Sequence, residues 1–306
     1  MANSRVTAIT IPGEAGAGTL YTLLAACGFA AVSTLTVIAT GQGVSLPVVL
    51  LWRYTLGAVV MVSFVSLRAY PRMPWRESMR FIVLGGGGQA LLVGMALSSL
   101  QYGITPAILA FLFYTYPAWV TVVQTARRAE ALTPRRALAV ALSFGGIAVI
   151  YGTPFGGAGA PLERTGFALA IGAAIIYGMY IPLMQWMQKS HPVAVTSAYG
   201  KIGSAVCFLL LALGDRSITA TMSSTAWMAI VALTLFSTVM PSVFFLMGLM
   251  RLGAVRTAIV STVEPFLTAV LGAIVLRQAI TANILAGGAM IVTAVVILQF
   301  RRERVA

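Results

Sequence analysis

Apolar runs of about 20 residues recur along the whole chain, and this recurrence limits the fold more than any other feature. A helix that crosses a bilayer needs about 20 mostly apolar residues, because lipid offers its backbone no hydrogen-bond partners. The composition agrees, since 59% of the residues are apolar and only 9% are charged. The sequence therefore predicts an all-α membrane protein with ten transmembrane helices, at residues 20–41, 46–67, 79–101, 104–126, 134–152, 163–188, 192–213, 225–250, 254–276 and 280–300.

The formal net charge of +13 does not indicate nucleic-acid binding, because the cations lie in short loops beside the apolar runs. When alternate loops are compared, one side of the membrane has fifteen cations and the other has three. The three are Arg164, Arg216 and Arg277. The fifteen are Arg5, Arg68, Arg72, Arg76, Arg80, Arg127, Arg128, Arg135, Arg136, Lys189, Arg251, Arg256, Arg301, Arg302 and Arg304. Since cytoplasmic loops are enriched in Lys and Arg, both termini are predicted to face the cytoplasm.

A weak internal duplication is visible when Pro117 is aligned with Pro265, so that PAWVTVVQTARRAEALTPRR runs beside PFLTAVLGAIVLRQAITANI. Each half of the chain then holds five predicted helices. Because five is odd, the second half must enter the membrane from the opposite side. We therefore expect two inverted five-helix repeats. The predicted domains are a flexible cytoplasmic tail at 1–18, repeats at 19–155 and 160–300, and a basic cytoplasmic tail at 301–306.

Glu264 is an acidic residue within the ninth predicted helix, where a charge is costly unless it faces a polar cavity or is neutralised. It lies eight residues beyond Arg256, which at a rise of about 1.5 Å per residue places it roughly 12 Å deeper, near the membrane centre. Inverted repeats place the substrate site at this depth, and the duplication aligns Glu264 with Tyr116. Glu264 is thus the first candidate for binding a substrate or a proton. The alternative is a neutral, structural carboxyl group hydrogen-bonded between helices.

Further side chains are candidates for lining a central cavity, because each is polar and lies deep within a predicted helix: Lys201, Tyr114, Tyr116, Gln89, Tyr177 and Tyr180. Lys201 is too deep to reach the surface easily, which favours a cavity position or a pair with Glu264. For the tyrosines and Gln89, packing and hydrogen bonding between helices are equal alternatives. Arg53 lies near the outer end of the second helix, where a side chain extending to the membrane surface is at least as reasonable as a ligand contact.

Prolines within membrane helices are tolerated where a cavity or a neighbouring helix satisfies the freed carbonyl groups. Pro117, Pro241 and Pro265 are candidate hinges, because they lie in the helix pairs that the duplication repeats. The run Gly85–Gly88 predicts a close helix contact or a kink.

Several of these features resemble the drug/metabolite transporter superfamily, specifically its EamA-type members. They are the ten helices in two halves, the WRYTLGA segment of the second helix, and the two blocks that end at Pro117 and Pro265. The resemblance covers residues 20–300 and is greatest to the YddG-type amino-acid exporters. Members often carry an acidic residue just before the last helix of each half. Glu130 fits this pattern, whereas Arg277 and Gln278 stand in the second position, which argues against acidic gates on both faces.

The resemblance implies a secondary transporter in a bacterial inner membrane that exports small metabolites by alternating access through a central cavity. Amino acids, including aromatic ones, are the expected substrates. Two alternatives stay open, a proton-coupled extruder of lipophilic cations and a passive channel. An enzyme is not expected, because the chain has one histidine, no HExxH pattern and no pair of acids within the helices. We expect no cofactor and no metal, a small-molecule substrate and the lipid bilayer as partners, no nucleic acid, and a monomer.

Overall fold

The structure is a computed structural model that describes residues 12–71, 73–126, 133–151, 164–187, 191–218, 221–252, 257 and 260–299. Within these ranges the regular structure is entirely helical, which confirms the predicted all-α class. The termini, Glu130 and several of the loop cations named above lie outside the described residues.

The first half of the chain, up to residue 151, forms seven α-helices with two irregular turns between them. The α-helices are α1 (Pro12–Thr40), α2 (Leu46–Leu67), α3 (Trp75–Arg80), α4 (Gly87–Ser98), α5 (Pro106–Phe113), α6 (Tyr116–Ala126) and α7 (Pro134–Tyr151). A π-helical turn at Phe81–Gly86 joins α3 to α4, and a 3₁₀ turn at Ser99–Tyr102 follows α4. Helix α1 begins at Pro12, before its predicted start at residue 20.

The second half, from residue 164, has a similar order of helices with fewer interruptions. Its α-helices are α8 (Arg164–Met187), α9 (Val193–Gly214), α10 (Ser224–Thr234), α11 (Met240–Leu252), α12 (Glu264–Leu276) and α13 (Ala282–Gln299). A π-helical turn at Leu235–Val239 joins α10 to α11. A π-helical turn thus lies in both the third and the eighth predicted helices, which the predicted duplication aligns with each other.

Within the described residues, seven helical segments are long and apolar enough to cross a membrane: Gly16–Thr40, Leu46–Leu67, Trp75–Tyr102, Pro106–Val123, Arg164–Ile181, Val193–Gly214 and Ser224–Leu252. Shorter apolar helices follow at Glu264–Leu276 and Ala282–Leu298. A multi-pass membrane protein is thereby supported. Ten spans, the inversion of the halves and the side on which the termini lie stay predictions.

The most extensive helix contacts join the two halves of the chain. Helix α1 packs on α11, α2 on α9, α7 on α13, and α4 on α8. Helix α5 also packs on α12. The predicted duplication aligns α1 with α8 and α4 with α11, so the pair of α1 with α11 corresponds to the pair of α8 with α4. The other pairs each join a helix to its own counterpart. This pairing pattern is the one that two related repeats would produce.

Glycines allow two of these pairs to approach closely. A Cβ atom at Gly146 of α7 would lie 2.6 Å from the carbonyl oxygen of Gly287 of α13, and one at Gly287 would lie 2.7 Å from the carbonyl oxygen of Gly146. Gly203 of α9 packs in the same way against the backbone of Ile82 and Gly86 in the first π-helical turn. Such backbone contacts are a common way of packing helices in membranes. The Gly85–Gly88 run thus lies at both a close contact and an irregular turn, as expected.

Candidate functional site

Glu264 and Tyr114 meet where two interrupted helices face each other. Helix α5 ends at Phe113, and Tyr114 and Thr115 form a turn before α6. Thr262 and Val263 form a turn before α12, which begins at Glu264. Each turn lies just before a proline, Pro117 or Pro265, whose ring removes a backbone donor from the helix.

The Tyr114 hydroxyl group supplies a hydrogen bond that Pro265 cannot. In an unbroken helix the N–H group of residue 265 would donate to the carbonyl oxygen of Ser261, but proline has no N–H group. The Tyr114 hydroxyl lies 3.0 Å from that carbonyl oxygen and 2.8 Å from Glu264 Oε2. One side chain of the first half therefore contacts both the broken helix of the second half and the only acid in the described helices of that half.

Aromatic rings surround this contact. The ring centroids of Tyr116 and Tyr177 are 4.7 Å apart, and those of Phe113 and Tyr177 are 4.9 Å apart. Tyr116 also lies 6.3 Å from Tyr114, between centroids. The side chains of Tyr116 and Tyr177 both interact electrostatically with Glu264. We call Glu264, Tyr114, Tyr116, Tyr177 and Phe113 the acidic cluster.

Tyr180 and Gln89 make contacts at the first π-helical turn. Because a π-helical turn shifts the backbone hydrogen bonds, its carbonyl groups are open to other donors. The Tyr180 hydroxyl donates to the Gly85 carbonyl oxygen at 2.9 Å. Ser204 of α9 donates to the Gly86 carbonyl oxygen at 3.0 Å and lies 3.5 Å from Gln89 Oε1. Both residues therefore join helices, and their predicted contact with a substrate stays a prediction.

Lys201 and Arg53 form a second polar region, which we call the basic cluster together with Tyr54. Lys201 is 8% exposed and Arg53 is 7% exposed. The Arg53 Cζ atom lies 5.4 Å and the Lys201 Nζ atom 6.0 Å from the centroid of the buried Tyr54 ring. Arg53 Nε donates to Thr238 Oγ1, at 3.0 Å, on the second π-helical turn. The burial of Arg53 is incompatible with a side chain extending to the membrane surface.

Of the two alternatives for Lys201, a cavity position or a pair with Glu264, the pair is not formed. Among the residues with described positions, no ion pair within 4.0 Å involves either side chain. Lys201 instead has Arg53 as its charged neighbour. Tyr180 is near both clusters, because its hydroxyl group interacts electrostatically with Tyr54 of one and Tyr177 of the other.

The three candidate hinge prolines all lie at helix interruptions. Pro117 and Pro265 are the second residues of α6 and α12. Pro241 is the second residue of α11, two residues after the end of the second π-helical turn. Their positions would allow bending, and their role as hinges stays a prediction.

The polar groups buried within a bundle of membrane helices, together with breaks at the centre of those helices, are typical of membrane transporters of small molecules. Residues 164–300 match the EamA-like transporter family, whose members are membrane transporters and not enzymes. The second half therefore carries an EamA-like domain of the drug/metabolite transporter superfamily.

A solved crystal structure shares the fold of nearly the whole chain. The two superpose with a TM-score of 0.64, over 92% of this chain and 97% of the other, at 19% sequence identity. At this identity the likeness concerns the fold alone. No curated protein sequence matches the chain.

Proposed function

We propose that the chain is a secondary transporter that exports amino acids, including aromatic ones, across a bacterial inner membrane by alternating access. The observation that carries the proposal is the contact of Tyr114 with Glu264 and Ser261, because it joins the interrupted helices of the two halves. Inverted-repeat transporters bind substrates at interrupted helices between repeats. The symmetric pairing of the helices supports such repeats.

The chemistry of the two clusters suits a zwitterion. Glu264 would bind the ammonium group of an amino acid, and the rings of Tyr116, Tyr177 and Phe113 would contact an aromatic side chain. Lys201 would attract the carboxylate group. Rocking of one half against the other, with bending at Pro117, Pro241 and Pro265, would expose this site to each side in turn.

Counterflow in proteoliposomes tests the proposal. Vesicles loaded with unlabelled phenylalanine should accumulate radiolabelled phenylalanine transiently, and the initial rate should saturate. Glu264→Gln should lower the rate at least tenfold, because the amide cannot neutralise an ammonium group. Asp215→Asn is the matched control, since Asp215 is exposed in the turn after α9. Equal rates for wild type and Glu264→Gln would remove Glu264 from the mechanism, and flux without saturation or counterflow would indicate a passive channel.

One observation favours a second candidate, a proton-coupled extruder of lipophilic cations. The Tyr114 hydroxyl has one proton but two acceptors, Ser261 O and Glu264 Oε2. A protonated Glu264 would donate to the Tyr114 oxygen while Tyr114 donates to Ser261, so both contacts would be satisfied. Export of tetraphenylphosphonium that requires a pH gradient, without phenylalanine counterflow, would support this candidate over the first.

A further inference from the structure

Two buried cations lie side by side in the basic cluster without a described counterion. Glu77 pairs with His191, Asp215 is exposed in the turn after α9, and Glu264 contacts Tyr114. Among the carboxylates whose side chains are described, none therefore lies within 4.0 Å of Lys201 or Arg53.

Arg53 is only partly satisfied by its neighbours. Its Nε atom has an acceptor in Thr238, but its Nη1 atom is buried and has no hydrogen-bond partner. A planar guanidinium group presents five N–H donors that match the oxygen atoms of a carboxylate or phosphate group. The Nη1 atom of Arg53 is thus an unpaired donor, which an oxygen atom of a carboxylate or phosphate group would satisfy.

Two unpaired cations buried next to each other raise the free energy of the folded protein. Burying one charge is costly, and placing a second charge of the same sign beside it adds repulsion in a medium of low dielectric constant. The Tyr54 ring offsets part of this cost through its face, but a cation–π contact does not neutralise a charge. An anion bound between the two cations would remove both the repulsion and the unsatisfied donor.

Small residues lie next to the lysine. Gly57 of α2 lies against the Lys201 side chain, where a Cβ atom would be 3.4 Å from its Cδ atom. A Cβ atom added to the buried Gly200, the residue before Lys201, would meet no atom within 4 Å. A larger side chain at position 57 would therefore press on the stem of Lys201.

We infer that Arg53 and Lys201 together form a binding site for the carboxylate group of the transported substrate. The inference rests on the proposed transport function and names the residues that would bind the carboxylate group of its substrate. It adds Arg53, whose fork of donors would orient the carboxylate while Lys201 supplies the second charge. Thr238 would hold the guanidinium group in place from the second π-helical turn.

Anion-dependent thermal stability in nanodiscs of phosphatidylcholine tests the site without any transport measurement. A ligand that binds only the folded state raises the melting temperature with its concentration. Acetate and, separately, inorganic phosphate should raise the melting temperature of the wild type relative to sodium chloride at equal ionic strength. Arg53→Gln and Lys201→Met should abolish the rise. The matched control Arg68→Gln should retain it, because Arg68 is exposed at the end of α2.

The stability of the variants without an anion gives a second readout. Lys201→Met should melt at or above the wild-type temperature, since it removes an unpaired buried charge. A lower melting temperature together with a wild type that ignores acetate would show a structural role and overturn the inference. A response to added phosphatidylglycerol, but to neither acetate nor phosphate, would assign the cations to a lipid headgroup and would also overturn it.

The experiments can reject the transport function and the carboxylate site independently of each other. Anion binding that depends on Arg53 and Lys201, without amino-acid counterflow in the wild type, would support the site and reject amino-acid export. Normal counterflow in Arg53→Gln and Lys201→Met, without an effect of acetate, would keep the function and reject the site. The predicted result is loss of both, with phenylalanine but not phenylalanine amide competing for uptake.

Discussion

At the scale of single residues, the central feature is the Tyr114 hydroxyl group and its two acceptors. Removing it by Tyr114→Phe leaves the Ser261 carbonyl group without the donor that replaces the Pro265 N–H group. An unsatisfied buried polar group costs about 1–3 kcal/mol. We expect the free energy of unfolding to fall by about this amount in chemical denaturation. Tyr102→Phe, at a ring that is 38% exposed, is the control and should unfold like the wild type.

A double-mutant cycle measures whether Tyr114 acts on Glu264 itself. Groups in direct hydrogen-bond contact show coupling free energies of about 0.5–3 kcal/mol. Tyr114→Phe, Glu264→Gln and the double variant should therefore be non-additive in unfolding free energy and in transport rate. Additive effects in both measurements would contradict the 2.8 Å contact between the two side chains.

The sequence singled out Glu264, Tyr114 and Tyr116 as candidates but did not show which of them touch. The repeat alignment pairs Glu264 with Tyr116, whereas the hydrogen bond comes from Tyr114, two residues earlier. The turn at Tyr114 and Thr115 sets the directions of these rings, and an alignment has no information on it. For Arg53, the distance from the end of its helix suggested the surface. Its actual acceptor, Thr238, is far away in the sequence on a π-helical turn that the apolar pattern does not reveal.

At the scale of helices, the break before α12 depends on Pro265. In Pro265→Ala a backbone N–H group returns and can donate to Ser261, so the helix would continue and displace the Tyr114 hydroxyl. We expect slower counterflow, by about tenfold if each cycle requires roughly 1.4 kcal/mol of extra bending, with stability unchanged or higher. Pro192→Ala is the control, because Pro192 is exposed at the start of α9. An unaltered rate in Pro265→Ala would show that the break plays no part in the transport cycle.

The contact between α7 and α13 depends on the absence of side chains. Gly146→Val would place a side chain against the backbone of Gly287, and overpacking of this kind costs about 1–3 kcal/mol. The melting temperature of the purified protein should fall. Ala148→Val, on the exposed face of α7, should leave it unchanged. Equal melting temperatures for the two variants would contradict the close approach of these helices.

At the scale of the whole molecule, the charge bias predicts the orientation of the loops. In a variant with Cys27 and Cys207 replaced by alanine, Arg216→Cys should react in intact cells with a maleimide that cannot cross membranes. Arg68→Cys should react only after the membrane is opened. Both positions are exposed, so accessibility in the folded protein is equal. The reverse pattern would place the termini outside, and reaction at both positions in intact cells would contradict an odd number of spans between them.

Across the molecule, the apolar pattern predicted where helices occur better than it predicted where they are interrupted. Long runs such as Leu46–Leu67 are single helices, because nothing within them competes with the backbone ladder. The run predicted at 104–126 is divided into α5 and α6 near Pro117, and α12 begins only at Glu264. Interruptions arise from proline and from hydrogen bonds with other helices. The second cause depends on the assembled bundle and is invisible in a local pattern.

The pairing of α1 with α11, α2 with α9 and α7 with α13 has a consequence for biosynthesis. While the ribosome is still making the second half, the inserted first half lacks nearly all its final neighbours. Each half should therefore serve as the assembly template for the other. Separate expression of residues 1–155 and 160–306 should yield products that are degraded alone but purify together and regain transport when coexpressed.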